Sequence, residues 1–142
     1  MNLNDYRKCF ELTYDQFLAK KDVAVAQIRE NLSYEKITGA VRIELGNSVF
    51  FFFREGKLKV IYTSDEVVAN KIWKEFLETN SNKPEEVVRS RAGKTSNQLI
   101  FANLGITVSL AGEDVDFIEI YPPCTLQDYL KHFYRDVPPF IR

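Results

Sequence analysis

Hydrophobic and polar residues follow two different periods along this chain. Between residues 3 and 18 apolar side chains recur every three or four positions with charged residues between them, which predicts an amphipathic helix. A thinner apolar stripe predicts a second helix, which begins at Asp22 and runs to about Leu32. Asp22 has the side chain that caps the unpaired amides at a helix start.

After Tyr34 the pattern changes to β-branched and aromatic residues separated by turn residues. The predicted strands span residues 37–45, 49–54 and 57–62. The pairs Gly46-Asn47 and Glu55-Gly56 are typical of tight hairpin turns. The three strands therefore form an antiparallel meander. A helix follows, with Thr63 and Glu66 at the spacing of a capping box, and ends near Asn80.

The second half of the chain returns to strands. They are predicted over residues 86–91, 98–102, 105–110 and 115–121. Prolines at 122 and 123 end the last strand, and Thr125 begins a final helix. The proline-containing tail of residues 137–142 is predicted to be extended and to pack on its own sheet. The order ααβββαββββα defines an α+β fold, a single domain with four helices and a mainly antiparallel sheet of about six to seven strands.

Residues 73–121, about a third of the chain, carry a family resemblance. The segments concerned are Lys83-Pro84-Glu85-Glu86-Val87, Leu99-Ile100-Phe101, Gly105-Ile106-Thr107-Val108 and Val115-Asp116-Phe117-Ile118. Their order resembles the helix-plus-meander unit of the β-lactamase inhibitor protein and the SmpA/OmlA-type small proteins. The chain departs from that pattern in having no lipoprotein signal and in carrying Asn82-Lys83 before the turn proline. The resemblance implies a protein that binds another protein through a sheet face, with no catalytic residues to carry over.

Composition and charge narrow the function classes. The chain has 142 residues, with 19 Lys and Arg against 20 Asp and Glu, for a net charge of −1. Nucleic-acid binding by bulk charge is not expected, because that mode needs an excess of cations. The longest apolar run, residues 49–53, is far too short for a membrane helix. Without a secretory signal pattern at the start, the chain is expected to be cytoplasmic.

Residues that carry chemistry are few. Cys9 and Cys124 lie far apart, and His132 is the single histidine, so neither a zinc site nor a metal cofactor is predicted. The segment from Ala92 to Ser96 has the ending of a phosphate-binding loop, but the glycine which that loop needs at position 88 is a valine. No cofactor is expected, and an enzyme is the least favoured of the function classes.

The run Phe50 to Phe53 is the most informative feature of the sequence. Successive side chains of a strand point to opposite faces, so this run places aromatic rings on both faces of the sheet. Either helices cover both faces, or one aromatic pair lines a ligand cavity or a protein interface. The interpretation adopted for binding makes Phe51, Phe53, Tyr62 and Trp73 the anchors of an interface. The basic residues Arg89, Arg91 and Lys94 form its polar rim.

Two hypotheses follow for function. The first is a non-enzymatic protein-binding module, of inhibitor or immunity type or self-associating as a dimer. The second is a small-molecule binding protein with an apolar cavity. In that hypothesis Arg89 and Arg91 share one face of a strand and, with Lys94, hold an acidic group of the ligand.

Overall fold

The computed structural model describes residues 1–46 and 48–135. The predicted turn at Asn47 and the predicted extended tail of residues 137–142 lie outside the described residues. No helix in the part that is described is long and apolar enough to cross a membrane.

Helices and strands follow the predicted α+β order closely. The helices are α1 (Leu3–Lys8), α2 (Tyr14–Lys20), α3 (Glu66–Thr79) and α4 (Leu126–His132). The first four strands are β1 (Ile28–Tyr34), β2 (Ile37–Leu45), β3 (Val49–Arg54) and β4 (Lys57–Thr63). The remaining strands are β5 (Glu86–Arg89), β6 (Asn97–Phe101), β7 (Ile106–Ala111) and β8 (Asp114–Ile120).

All eight strands belong to one antiparallel sheet, with the order β1-β2-β3-β4-β8-β7-β6-β5. The sheet consists of two four-stranded meanders that join where Ile61 of β4 pairs with Ile120 of β8. These two central strands run in opposite directions, and each leads into a helix. The helix after β4 is α3, and the helix after β8 is α4.

The predicted second helix is wrong, and this error accounts for the eighth strand. Asn2 and Thr13 each form a capping box, so the first predicted helix is two short helices, α1 and α2. Residues 28–34 then form β1, with Ile28 opposite Ile43 of β2. Helix propensity is a weak preference that tertiary pairing overrides, and here an open edge of β2 was available for pairing. The start of α3 also differs, because Asp65 rather than Thr63 caps it.

One face of the sheet, here called the core face, is covered by α1, α2 and α3. Strand residues such as Ile43, Phe51, Ile61 and Ile118 pack there against apolar side chains of these helices. Phe17 of α2 is fully buried, with its ring 4.9 Å from Phe51. This side is a conventional apolar core, stabilised by removal of hydrocarbon and aromatic surface from water.

The opposite face, here called the polar face, is buried with different side chains. Gln98, Thr107, Ser109 and Glu119 lie on it and are all nearly inaccessible to solvent. Helix α4 covers one part through Tyr129, which packs with Ile100, Ala102 and Tyr121. Another part is covered by Tyr34 at the end of β1, which packs with Phe52 and Val60.

The sheet curves over its polar face. Strands β1 and β5 form its two edges, and seven inter-strand spacings of about 4.8 Å would separate them by roughly 34 Å in a flat sheet. Nevertheless Arg91, two residues after β5, donates a hydrogen bond from Nη2 to the hydroxyl of Tyr34 at 2.8 Å. The curvature makes the polar face concave and brings distant segments of the chain together.

Candidate functional site

Two of the predicted interface anchors lie in the apolar core. Phe51 and Phe53 face the core face and are 0% and 1% exposed, and Phe17 packs against both rings. Strand alternation was assigned correctly, but α1 and α2 cover this side. Phe51 and Phe53 are therefore inaccessible to a partner in this structure, and they contribute to stability.

The other two anchors lie on opposite faces of the sheet. Trp73 of α3 is partly buried and packs beside Phe76 and Phe101 on the core face. Tyr62 is half-buried on the polar face, where its ring contacts Tyr34 and Phe117. Of the predicted anchors, Tyr62 is the one placed beside a residue of the predicted rim, because Arg91 lies over its ring at 5.5 Å.

The three predicted rim cations are also separated. Strand β5 ends at Arg89, so the prediction that Arg89 and Arg91 share a strand face is wrong. Arg89 and Lys94 are exposed, and the main-chain carbonyl of Arg89 accepts a hydrogen bond from Tyr134. Segment 92–96 connects two antiparallel strands, as predicted for a turn rather than a phosphate-binding loop.

Arg91 binds carboxylates of its own chain. Its Nε lies 3.0 Å from Oε1 of Glu35, and its Nη1 lies 3.8 Å from Oε2 of Glu119. The guanidinium also covers the ring of Phe117, with Cζ 4.1 Å from the ring centroid. The residue type was predicted to hold a carboxylate, but here that group is supplied by the protein.

Glu119 is the centre of a buried hydrogen-bond network. The hydroxyl of Tyr34 donates to its Oε2, and the hydroxyl of Tyr129 donates to its Oε1. Arg91 in turn donates to Tyr34. The network thus joins the end of β1, the β5–β6 connection, β8 and α4 at one carboxylate that is 1% exposed.

The electrostatics of the network follow from its burial. Burial raises the pKa of Glu119, while Arg91 and the two tyrosine hydroxyls act in the opposite direction. Burial and the neighbouring Glu119 raise the pKa of both Tyr34 and Tyr129 well above the ordinary phenol value. Burial lowers the pKa of Arg91, but its acidic neighbours raise it overall. The neutral phenols therefore remain hydrogen-bond donors over the physiological range of pH.

A solvent-open groove lies beside this network. One cleft of about 440 Å³ is lined by residues of the β1–β2 turn, the β3–β4 hairpin, the Pro122-Pro123 segment and α4. A second cleft of about 410 Å³ shares Lys59 and Pro122 with the first and continues towards α2. We call the two together the basic groove, because its cationic side chains are Lys36, Arg54, Lys57, Lys59 and Lys131.

Charge is concentrated in the basic groove although the whole chain is nearly neutral. Among the described residues, five cations line it, against the two carboxylates Glu11 and Asp128. Both ion pairs within residues 1–46 and 48–135 involve Arg91, so no groove cation is paired with a carboxylate there. Apolar residues, among them Ile37, Leu58 and Phe133, complete the lining.

Local turn chemistry places several of these cations. Glu55 and Gly56 both have positive φ, at 53° and 77°, as a type I′ hairpin turn requires. This predicted turn sets Arg54 and Lys57 at the tip of the β3–β4 hairpin. Across the groove, Lys36 follows the end of β1 and donates from Nζ to the carbonyl oxygen of Leu130 in α4, at 2.9 Å.

Sequence reasoning missed both the network and the groove. No role was predicted for Glu119, Tyr34 or Tyr129. One available signal was a charged residue at 119 within an otherwise apolar strand end, Phe117 to Tyr121, because such residues are rarely buried without partners. The groove cations come from separated segments, so their convergence has no local signal.

The cysteines and the side chains that could bind a metal ion do not come together in this structure. The two cysteines are not joined to each other, and Cys9 is buried while Cys124 lies at the edge of the groove. Among the described residues, no group of three or more His, Cys, Asp or Glu side chains is arranged to hold a metal ion.

The comparisons with known proteins give no match. No protein-family model, no curated protein sequence and no solved structure is significantly similar to the chain. The resemblance of residues 73–121 to the helix-plus-meander unit therefore stays a prediction, and the geometry alone supports the functional argument.

Proposed function

We propose that this chain is a non-enzymatic protein-binding module that holds an acidic segment of another protein in the basic groove. The observation that carries the proposal is the local excess of cations over carboxylates in a chain whose total charge is −1. Charge complementarity of this kind selects partners and accelerates their association. The apolar lining adds surface that a partner would bury.

The shape of the groove favours an extended segment. The two clefts adjoin at Lys59 and Pro122 and open to solvent along their length. An extended acidic chain would place carboxylates beside the groove cations and alternate side chains against the exposed Pro122 and Pro123 and the half-buried Phe133. An inhibitor or immunity role is compatible with this mode of binding. We place the module in the cytoplasm, which is consistent with its two unpaired thiols.

The test is a direct binding measurement with a defined probe. A fluorescein-labelled peptide of alternating glutamate and leucine is titrated with the protein, and anisotropy is followed at low and at physiological salt. We expect saturable binding that weakens as salt rises. The double variant Lys59→Glu/Lys131→Glu should weaken binding roughly tenfold, given about 0.5–1 kcal/mol for each exposed charge.

A matched control separates the groove from net charge. Lys74 of α3 and Lys83 of the loop before β5 are both exposed and do not line the groove. The variant Lys74→Glu/Lys83→Glu has the same net charge as the groove variant and should bind the peptide as the wild type does. Equal weakening in both variants, or no binding by the wild type, would show that the groove is not the site.

A second candidate function is binding of a small acidic molecule. Self-association as a dimer is the third alternative. The first cleft alone, at about 440 Å³, has the volume of ligand pockets, which span about 300–1,000 Å³. Native mass spectrometry of the purified protein distinguishes these cases. Added mass that disappears in Lys59→Glu/Lys131→Glu favours a small ligand, and a doubled mass indicates self-association.

A further inference from the structure

We infer that Glu119 is the positioning residue of the basic groove, because its carboxylate holds both groove walls through Tyr34 and Tyr129. This inference rests on the proposed function of the groove. One wall is the β1–β2 turn with Lys36 and Ile37, and the other is α4 with Asp128 and Lys131.

Each wall is hydrogen-bonded to one oxygen of the same carboxylate, that of Glu119. Tyr34, two residues before Lys36, donates to Oε2, and Tyr129, two residues before Lys131, donates to Oε1. Glu119 itself lies on a central strand, where β8 pairs with both β4 and β7. A rigid strand thus carries the acceptor, and two peripheral segments carry the donors.

The other contacts of α4 with the sheet are apolar, because Leu126, Leu130 and Phe133 pack against the cluster of Ile100, Ala102 and Tyr121. Helix α4 has seven residues, and Tyr129 is its buried residue. A helix of this length is not stable in isolation, so its position depends on tertiary contacts. Between the walls, the hydrogen bond from Lys36 to Leu130 is exposed, so water competes for both groups and the bond contributes less than the buried bonds to Glu119.

The wall formed by the β1–β2 turn has an additional partner, Arg91. Arg91 donates to the hydroxyl of Tyr34 and lies beside Glu35, the residue between Tyr34 and Lys36. The same arginine faces Glu119. Removal of the Glu119 carboxylate would therefore take the acceptor from both tyrosine hydroxyls and leave Glu35 as the remaining carboxylate partner of Arg91. The spacing and order of the groove cations would then change although no groove residue had been altered.

Hydrogen–deuterium exchange read by mass spectrometry tests this inference without any ligand. Tyr129→Phe should accelerate exchange across residues 126–132 roughly tenfold and leave the β1–β2 turn unchanged. Tyr34→Phe should accelerate exchange at the β1–β2 turn and leave α4 unchanged. Glu119→Gln should accelerate both, because an amide cannot replace the carboxylate as acceptor for two donors and partner of Arg91.

Tyr121→Phe is the matched control. Tyr121 also lies on the polar face, where its hydroxyl contacts Thr107 and the carbonyl oxygen of Ile106, and its ring packs on Tyr129. The substitution removes a buried tyrosine hydroxyl but no bond to Glu119. It should leave the exchange of both walls as in the wild type.

Binding of the glutamate-leucine peptide is the second readout. Tyr34→Phe and Tyr129→Phe should weaken it about threefold to tenfold, while Tyr121→Phe leaves it unchanged at a temperature where all variants are folded. Wall-specific exchange together with a wild type that does not bind the peptide would support the positioning role and reject the proposed function. Uniform acceleration in all variants, the control included, or unchanged exchange in Tyr34→Phe and Tyr129→Phe would overturn the inference. These two variants decide it even if Glu119→Gln does not fold.

Discussion

Phe51 and Phe52 are neighbours on β3, and they face opposite sides of the sheet. Phe51 lies on the core face among the rings of Tyr6 and Phe17. Phe52 lies on the polar face against Tyr34, whose hydroxyl belongs to the Glu119 network. Both side chains are buried, but the two environments respond to different changes.

The comparison shows two ways of burying the faces of one sheet. The core face depends on volume and shape, so its residues tolerate exchange for others of similar size. The polar face depends on the hydrogen bonds of its buried polar groups, above all those to Glu119, because a buried polar group that loses its partner costs as much as the bond contributes, or more. Gln98 is an exception, since its Nε2 is buried there without a hydrogen-bond partner among the described residues. The first face holds the fold together, and the second places peripheral segments relative to the central strands.

The largest expected effect belongs to the core face. Phe51→Ala should lower the free energy of unfolding by about 4 kcal/mol, because the substitution removes buried aromatic surface and leaves a cavity. Urea denaturation followed by circular dichroism measures it. The neighbouring Phe50→Ala should cost about 1–2 kcal/mol, because Phe50 is only half-buried, under the guanidinium of Arg42. Equal losses would contradict the difference in burial.

The next effect tests the polar face. Glu119→Ala should cost about 3 kcal/mol, because two buried phenol hydroxyls lose their acceptor and Arg91 loses one of its carboxylates. Glu119→Gln should cost less, since the amide oxygen still accepts one hydrogen bond. If Glu119→Ala were as stable as the wild type, the network would contribute nothing to holding the polar face.

A pH effect tests the buried tyrosines of the Glu119 network. The pKa of both Tyr34 and Tyr129 is raised by burial and by Glu119, so above about pH 10 the unfolded chain releases phenol protons that the folded chain retains. Stability should fall as pH rises through that range, by up to about 1.4 kcal/mol per pH unit for each phenol. Tyr129→Phe removes one of the two phenols, so its free energy of unfolding should fall less steeply with pH than that of the wild type. Urea denaturation at a series of pH values between 9 and 11.5 measures the difference, which corresponds to one proton. Identical slopes in wild type and variant would count against this assignment.

The smallest effects concern the helix caps on the two faces. Asn2 caps α1 over the core face, and Thr125 caps α4 over the polar face. The substitutions Asn2→Ala and Thr125→Ala should each cost about 1 kcal/mol. Thermal unfolding should show both losses, but only Thr125→Ala should also accelerate exchange in α4 and weaken peptide binding. Weaker binding in Asn2→Ala would break the division of roles between the faces.

Prediction from the sequence succeeded where the signal is local. The Glu55-Gly56 turn, the meander it belongs to and the start of the last helix after Thr125 are confirmed, because each depends on a few adjacent residues. The segment of residues 28–34 was predicted as helix and is β1. Its apolar positions fit both periods weakly, and the decision came from pairing with β2, whose residues the local pattern does not include.

The candidate site shows the same difference between local signals, which the sequence contains, and long-range contacts, which it does not reveal. That Arg91 would hold a carboxylate follows from its chemistry, but its partners Glu119 and Glu35 lie 28 and 56 positions away in the chain. That Phe51 and Phe53 would share a face follows from strand alternation, but which face the helices cover does not.

The sequence by itself determined the α+β class, the antiparallel hairpins and the alternation of side chains, because these follow from periodicity and from turn residues acting over short distances. Only the tertiary structure decided which face became the apolar core, how Glu119 was satisfied and where the cations converged. Those outcomes depend on the curvature of an eight-stranded sheet, which brings its edges together over one face. Curvature of that kind is a property of all the strands at once, and no single segment encodes it.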